Sequence, residues 1–205
     1  MVIAFDFGGT LDTHGRHWSK VLYEGWRQVM PSLEWEHFME AYVTAEREMH
    51  TEPSWDFMQT LTAKCRLEAS HMNDNIPDTV ADEVARWCHH DVESCIDSSR
   101  HVLDILYKRY PLILVSNFYG NLNSVLLNFS LSAYFTDIIE SAQVGIRKPD
   151  PAIYGLVLER HPGLQPEDVL VVGDSMKNDI LPAQSLGMKT LRITCYDDLL
   201  TLTSL

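Results

Sequence analysis

A doubly wound α/β fold, a parallel sheet with helices on both faces, is predicted for the main body of this 205-residue chain. Three observations predict it. Residues 1 to 6, 112 to 116 and 169 to 173 are short apolar runs without polar alternation, which is how strands buried on both faces of a parallel sheet read. Helical patterns lie between these runs, so strand and helix alternate. Each run also delivers a polar side chain at or just past its end: Asp6, Ser116 and Asp174.

The first run leads through Asp6 into a glycine turn, Phe7-Gly8-Gly9-Thr10-Leu11. From about 15 to 97 the alternation stops. Trp18, Val21, Leu22, Trp26, Val29 and Met30 recur at helical spacing, as do Trp35, Phe38, Met39, Tyr42 and Val43, with Pro31 and Pro53 as punctuation. Ser54 is expected to cap a third helix through Trp55, Phe57, Met58 and Leu61. A fourth should run from about Pro77 through Val80, Val84, Trp87 and Val92. No strand is needed here, so residues 15–97 read as a helical insert, and 1–14 with 98–205 as the α/β body. Val102, Leu103, Ile105 and Leu106 predict a helix before the second strand, and Leu122, Val125, Leu126 and Phe129 one after it. Asp137–Glu140 is a weaker strand candidate, and so is the stretch from Lys189 to Ile193. Between them, Asp150 as cap and Pro151 in the first turn start a helix through Ile153, Tyr154, Val157 and Leu158.

A hydrophobic fraction of 45% with 22% charged residues is ordinary for a globular protein and argues against disorder. The formal charge of -13 argues against nucleic acid or an anionic membrane surface as a partner, because both would repel the chain at long range. No apolar run approaches the roughly 20 residues that span a bilayer. The four cysteines form no C-x-x-C pair and the N-terminus lacks the pattern of a signal peptide, which predicts reduced thiols in a cytoplasmic protein. A monomer fits this composition, which leaves the oligomeric state open.

An acid at the end of a buried strand is costly unless it is used. Ligands of open α/β sheets bind at the carboxyl ends of the strands, so Asp6, Ser116 and Asp174 can converge although far apart in sequence. Two further features suit phosphoryl chemistry: the cations of Gly145-Ile146-Arg147-Lys148-Pro149-Asp150-Pro151, and the second acid, Asp179, five residues after Asp174. Two carboxylates beside a dianionic ester call for a cation, and magnesium, which takes oxygen ligands, suits them.

Taken in order, these four segments resemble the haloacid dehalogenase (HAD) superfamily of hydrolases. The likeness covers residues 1 to 14 and roughly 98 to 195. It implies a Rossmann-like core with a helical cap over the site and a Mg2+-dependent phosphatase acting on a small phosphorylated metabolite. In that scheme Asp6 attacks phosphorus, while Ser116 and Lys148 bind and neutralise the phosphoryl oxygens, with Gly9, Thr10 and Asn117 completing the phosphate-binding set. Asp6, Asp174 and the backbone carbonyl of Gly8 hold the metal, and Asp179 supports it by holding Lys148 or a water of the metal.

One departure from the family stands out. Its phosphatases usually carry a second aspartate two residues after the nucleophile as general acid and base, and here that residue is Gly8. Help of that kind is typically worth about 10²- to 10⁴-fold in rate, so an alkyl ester should be cleaved slowly while an aryl or acyl phosphate suffers less. The alternatives are a weakened or non-enzymatic phospho-ligand binder, a phosphonatase using Lys20 or Lys64 as amine, or a metal-free haloacid dehalogenase. Asp12, His14 and His17 are candidates for a substitute proton donor, set against a plain solvated hinge. Arg147 reads as an exposed loop cation, and Cys88-His89-His90-Asp91 as core plus surface, since helix neighbours cannot chelate one ion together.

Overall fold

The computed structural model describes residues 1–73 and 75–205. Among the described residues the strands are β1 (Val2–Phe5), β2 (Leu112–Ser116), β3 (Asp137–Glu140), β4 (Val169–Gly173) and β5 (Lys189–Arg192). They form one parallel sheet in the order β3-β2-β1-β4-β5. β1 is central because all four of its side chains are apolar and buried. Successive residues then face opposite ways. Ile3 and Phe5 join one cluster with Leu112, Leu114 and Val172, whereas Val2 and Ala4 join another with Ile113, Val115, Val169 and Val171. Both weaker strand candidates form as expected, as β3 and β5.

The chain leaves β1 for four helices, α1 (Trp18–Val29), α2 (Trp35–Glu48), α3 (Phe57–Met72) and α4 (Asp78–Leu106), before it reaches β2. α1 begins where the His17 ring accepts from the Ser19 N–H, and stops at Met30 just before Pro31. The cap of α3 differs from expectation: it is Asp56, not Ser54. Its carboxylate accepts from the Gln59 N–H at 2.8 Å while Gln59 Oε1 accepts from the Asp56 N–H at 2.9 Å, a reciprocal pair that a lone hydroxyl cannot match. α4 starts after Pro77 and runs unbroken through residues 97 and 98, where the insert was expected to end. Its buried face explains this continuity. Val84, Ala85, Cys88 and Val92 pack among the insert helices, and Val102, Leu103 and Leu106 continue the same apolar cluster onto the sheet.

After β2 come α5 (Leu122–Asn128), a short α6 (Ser141–Val144) behind β3, and α7 (Ala152–Arg160), whose Ala152 N–H donates to Asp150 Oδ1 at 2.9 Å. Ile153, Tyr154 and Val157 of α7 cover the face of the sheet away from the insert. β4 leads into a π-helical turn, Met176–Ile180, then α8 (Leu181–Ser185), and α9 (Tyr196–Leu200) follows β5. No helix of the described residues is long and apolar enough to cross a membrane.

Two helical glycines predict opposite responses to a methyl group. At Gly155 in α7 nothing lies within 4 Å of an added Cβ, whereas at Gly25 in α1 it would meet Cys88 Sγ at 2.8 Å. Gly155→Ala should therefore raise the free energy of unfolding by up to about 1 kcal/mol through helix propensity. Gly25→Ala should lower it by about 1–3 kcal/mol through overpacking between α1 and α4. Urea denaturation of both variants checks the signs.

Candidate active site

Asp6 follows Phe5, which pairs with Val172 of β4 and Leu114 of β2, so the sheet register brings the ends of three strands beside one carboxylate. The Asp6 N–H donates to the Val172 carbonyl at 2.9 Å, extending β1 by one residue. Two glycines then make room for acids. Gly9 has a φ of +93°, and a Cβ there would lie 2.6 Å from the Asp174 carboxylate. At Gly173 a Cβ would lie 2.4 Å from Asp179 Cγ. Any side chain at either position would displace a carboxylate of the site.

Lys148 ties the cluster together. Its Nζ donates to Asp6 Oδ1 at 2.8 Å and to Asp179 Oδ1 at 2.7 Å, and all three side chains are almost wholly buried. Ser116 Oγ donates to the same Asp6 oxygen at 3.2 Å, while Thr10 Oγ1 makes a longer contact of 3.5 Å with Oδ2. Asn117 aims the lysine. Its Oδ1 accepts from the Lys148 N–H at 2.9 Å and its Nδ2 donates to the Lys148 carbonyl at 3.1 Å, a two-point clamp on the backbone. Asp179 is fixed in turn by the Tyr154 hydroxyl at 2.8 Å and the Ser175 N–H at 3.0 Å, the latter supplied by the π-helical turn.

One oxygen from each of Asp6, Asp174 and Asp179 lies within 4.8 Å of the others. Three carboxylates against one ammonium leave a negative excess in a buried space, and protonation responds. Burial pushes Asp6 up to about 7, opposed by Lys148 and reinforced by Asp179 and Asp174. Asp174 rises to about 6, through burial and then Asp179. Burial acts to strip the proton from Lys148, yet the acids around it, Asp6 first, hold it well above its ordinary value. A site built this way gains from a divalent cation, and the donor set of three carboxylates fits a hard ion such as magnesium.

The site opens into a cavity of about 260 Å3 lined on the sheet side by Asp6, Gly8, Gly9, Ser116, Asn117, Lys148, Asp174 and Asp179. The helical insert closes its other side with Trp18, Tyr42, Glu46, Thr60 and Lys64, among others. The structure thus brings Asp6, Gly8, Gly9, Ser116, Asn117, Lys148, Asp174 and Asp179 together around one cavity; Thr10 is buried and contacts Asp6 without lining it. Arg147 is exposed, as expected, and also lines the cavity. Tyr154 and Tyr119 escaped the sequence reading. Tyr154 sat in an apolar helical stripe that reads as packing, and its hydroxyl use depends on where Asp179 falls.

The three residues considered as proton donors separate. His14 turns away to Ser99 Oγ at 2.8 Å and to the Tyr196 ring. His17 caps α1 and lines the cavity. Asp12 is fully buried rather than a solvated hinge residue: it accepts from the Gly9 N–H at 2.7 Å and from Trp18 Nε1 at 2.8 Å. It therefore braces the glycine turn that carries the site.

Comparison with known proteins agrees with this fold. The family model described as haloacid dehalogenase-like hydrolase matches residues 1–187. A glyceraldehyde 3-phosphate phosphatase of Methanopyrus kandleri is 34% identical over 68 residues, 33% of this chain and 29% of that protein. A phosphoglycolate phosphatase of Vibrio vulnificus is 36% identical over 70 residues, 34% of this chain and 30% of that protein. The chain thus matches about a third of the length of these relatives. In fold it is similar to the putative HAD-hydrolase YfnB of Bacillus subtilis, with a TM-score of 0.59 at 18% identity, covering 100% of this chain and 98% of that one.

Asp12 also predicts a pH dependence. Burial lifts its carboxyl from 3.8 to about 7, so the folded state holds the proton more tightly than the unfolded chain. The stability this contributes is complete below about pH 4 and is lost as pH rises through about 7. Asp12→Asn should flatten the fall in unfolding free energy across that window by up to about 1.4 kcal/mol per pH unit. Urea denaturation at a series of pH values measures the slope, and an unchanged slope contradicts the assignment.

Proposed function

We propose that this chain, which belongs to the haloacid dehalogenase-like hydrolase family, is a magnesium-dependent phosphatase of a small phosphorylated metabolite. The observation that carries the proposal is the Asp6 carboxylate held within hydrogen-bond reach of Lys148 and Ser116 at the floor of the cavity beneath the helical insert. The names of the matched relatives, phosphatases of glyceraldehyde 3-phosphate and of phosphoglycolate, support a small phosphate ester as substrate. In this reading residues 15–97 act as a cap that excludes water from the site, and 1–14 with 98–205 as the catalytic core, the two sharing α4.

An Asp6 carboxylate oxygen attacks phosphorus, the ester P–O bond breaks, and the leaving alkoxide takes its proton from water and departs as the alcohol. Water then attacks the aspartyl-phosphate, releasing inorganic phosphate and restoring Asp6. Lys148 and the Ser116 hydroxyl, which donate to Asp6, turn to the phosphoryl oxygens and stabilise the charge they gain in the transition state. Asn117 keeps Lys148 in register, Asp179 keeps it oriented, and the Gly9–Thr10 turn offers backbone and hydroxyl donors to phosphate. Asp6, Asp174, Asp179 and the Gly8 carbonyl are the oxygen donors that would hold Mg2+, whose charge offsets that of the ester and the acids.

Gly8 favours a second reading, in which the site holds a phosphorylated ligand with little turnover. The two separate by experiment. With magnesium, the phosphatase hydrolyses an aryl or acyl phosphate and Asp6→Asn abolishes turnover; equal rates for the two proteins would refute the proposal. Gly8→Asp should raise the rate on an alkyl phosphate by about 10²- to 10⁴-fold. The backbone admits a Cβ at Gly8, which would meet nothing closer than Trp18 at 3.6 Å. Magnesium should also raise the melting temperature more at pH 8 than at pH 5, because raised carboxyl pKa values leave Asp6 and Asp174 competing with protons in acid. Asp174→Asn should remove most of that shift.

A further inference from the structure

The cap side of the cavity carries a polar trio that the chemistry at Asp6 does not use. Lys64 of α3 is in contact with Glu46 Oε1 of α2, and its Nζ donates to the Tyr119 hydroxyl at 3.1 Å. The Tyr119 hydroxyl donates to Glu46 at 2.9 Å. A further face of the ammonium lies over the Tyr42 ring, 4.7 Å from its centroid. The donors of the trio are therefore spent among themselves. What remains open toward the cavity is acceptor capacity, because the Glu46 side chain keeps 27% exposure where Lys64 keeps 5%, and each carboxylate oxygen accepts more than one hydrogen bond.

We propose that this trio binds the alcohol portion of the ester and selects leaving groups that donate hydrogen bonds, through hydroxyl or ammonium, over leaving groups that carry a carboxylate. The inference rests on the phosphatase reading and adds the class of substrate. Charge supports it. Lys64 is already countered by Glu46, and behind it lies the buried Glu68, whose Oε2 accepts from Trp26 Nε1 at 2.7 Å while its Oε1 has no partner among the described residues. A carboxylate entering here meets Glu46 and finds no free donor in the trio, whereas a hydroxyl or ammonium meets a charged acceptor. Arg147, exposed and lining the same cavity, is the group that would instead favour a carboxylate.

The test uses the full chain with magnesium and p-nitrophenyl phosphate turnover as reporter. Glycerol 3-phosphate, phosphoethanolamine and phosphoglycolate are compared as competing esters in the wild type and in Glu46→Gln. The first or second should compete at least about tenfold better than phosphoglycolate, and whichever leads identifies hydroxyl or ammonium as the donor. Glu46→Gln should shrink that preference about tenfold or more, by weakening the donor-bearing ester and admitting phosphoglycolate to Lys64. A ratio of inhibition constants is insensitive to general loss of active protein. A wild type that prefers phosphoglycolate, or a variant that keeps the original ratio, overturns the inference alone. Absence of reporter turnover in the wild type overturns the phosphatase reading, and this inference with it.

Discussion

One buried ammonium, that of Lys148, allows two carboxylates to sit side by side at the end of a sheet whose central strand is wholly apolar. Without it, Asp6 and Asp179 would be buried acids with no cation in contact, at a high desolvation cost. Removing one member of such a group leaves the rest uncompensated, a cost of about 3–5 kcal/mol in comparable buried pairs. The surrounding structure serves this contact. Asn117 clamps the Lys148 backbone from the end of β2, Tyr154 and Ser175 orient Asp179, and Gly9 and Gly173 leave space for the acids. The ammonium offsets only part of the negative charge, and the remainder is of the sign that a divalent cation would offset.

Much of this was legible in the sequence because parallel sheets impose simple patterns. Runs such as Val2–Phe5 and Leu112–Ser116 can be buried on both faces only inside an α/β sheet, and the polar residues at their ends have one place to meet. Asp6, Ser116, Lys148, Asp174 and Asp179 follow from that geometry and from motif order. The less legible features depend on contacts between distant segments. Asp56 rather than Ser54 caps α3 because a glutamine three residues on completes the pair, a local signal that the sequence carries. The unbroken course of α4 past residue 97 follows from one apolar face serving two partners. Asp12 read as a hinge residue because its burial comes from Trp18 folding back over it, which composition does not announce.

The cap side of the cavity was least legible, for a physical reason. Glu46, Lys64 and Tyr119 come from two helices and a loop of the core, and nothing in the spacing of any one segment marks them as neighbours. Their polar side chains look like solvated helix faces until α2, α3 and the chain after β2 are packed together. The reacting end of the site is thus fixed by strand ends, which a sequence states openly. The cap side is fixed by helix packing, which it states only through three-dimensional structure.

The central claim is that Asp6 is the atom donor to phosphorus, and trapping the covalent adduct tests it most directly. The protein, mixed with magnesium and acetyl phosphate and quenched in acid during turnover, should yield one phosphoryl group on the peptide that carries Asp6, detected by mass spectrometry. Phosphate released at a steady rate with no adduct on that peptide, or with the adduct on another residue, would contradict the account.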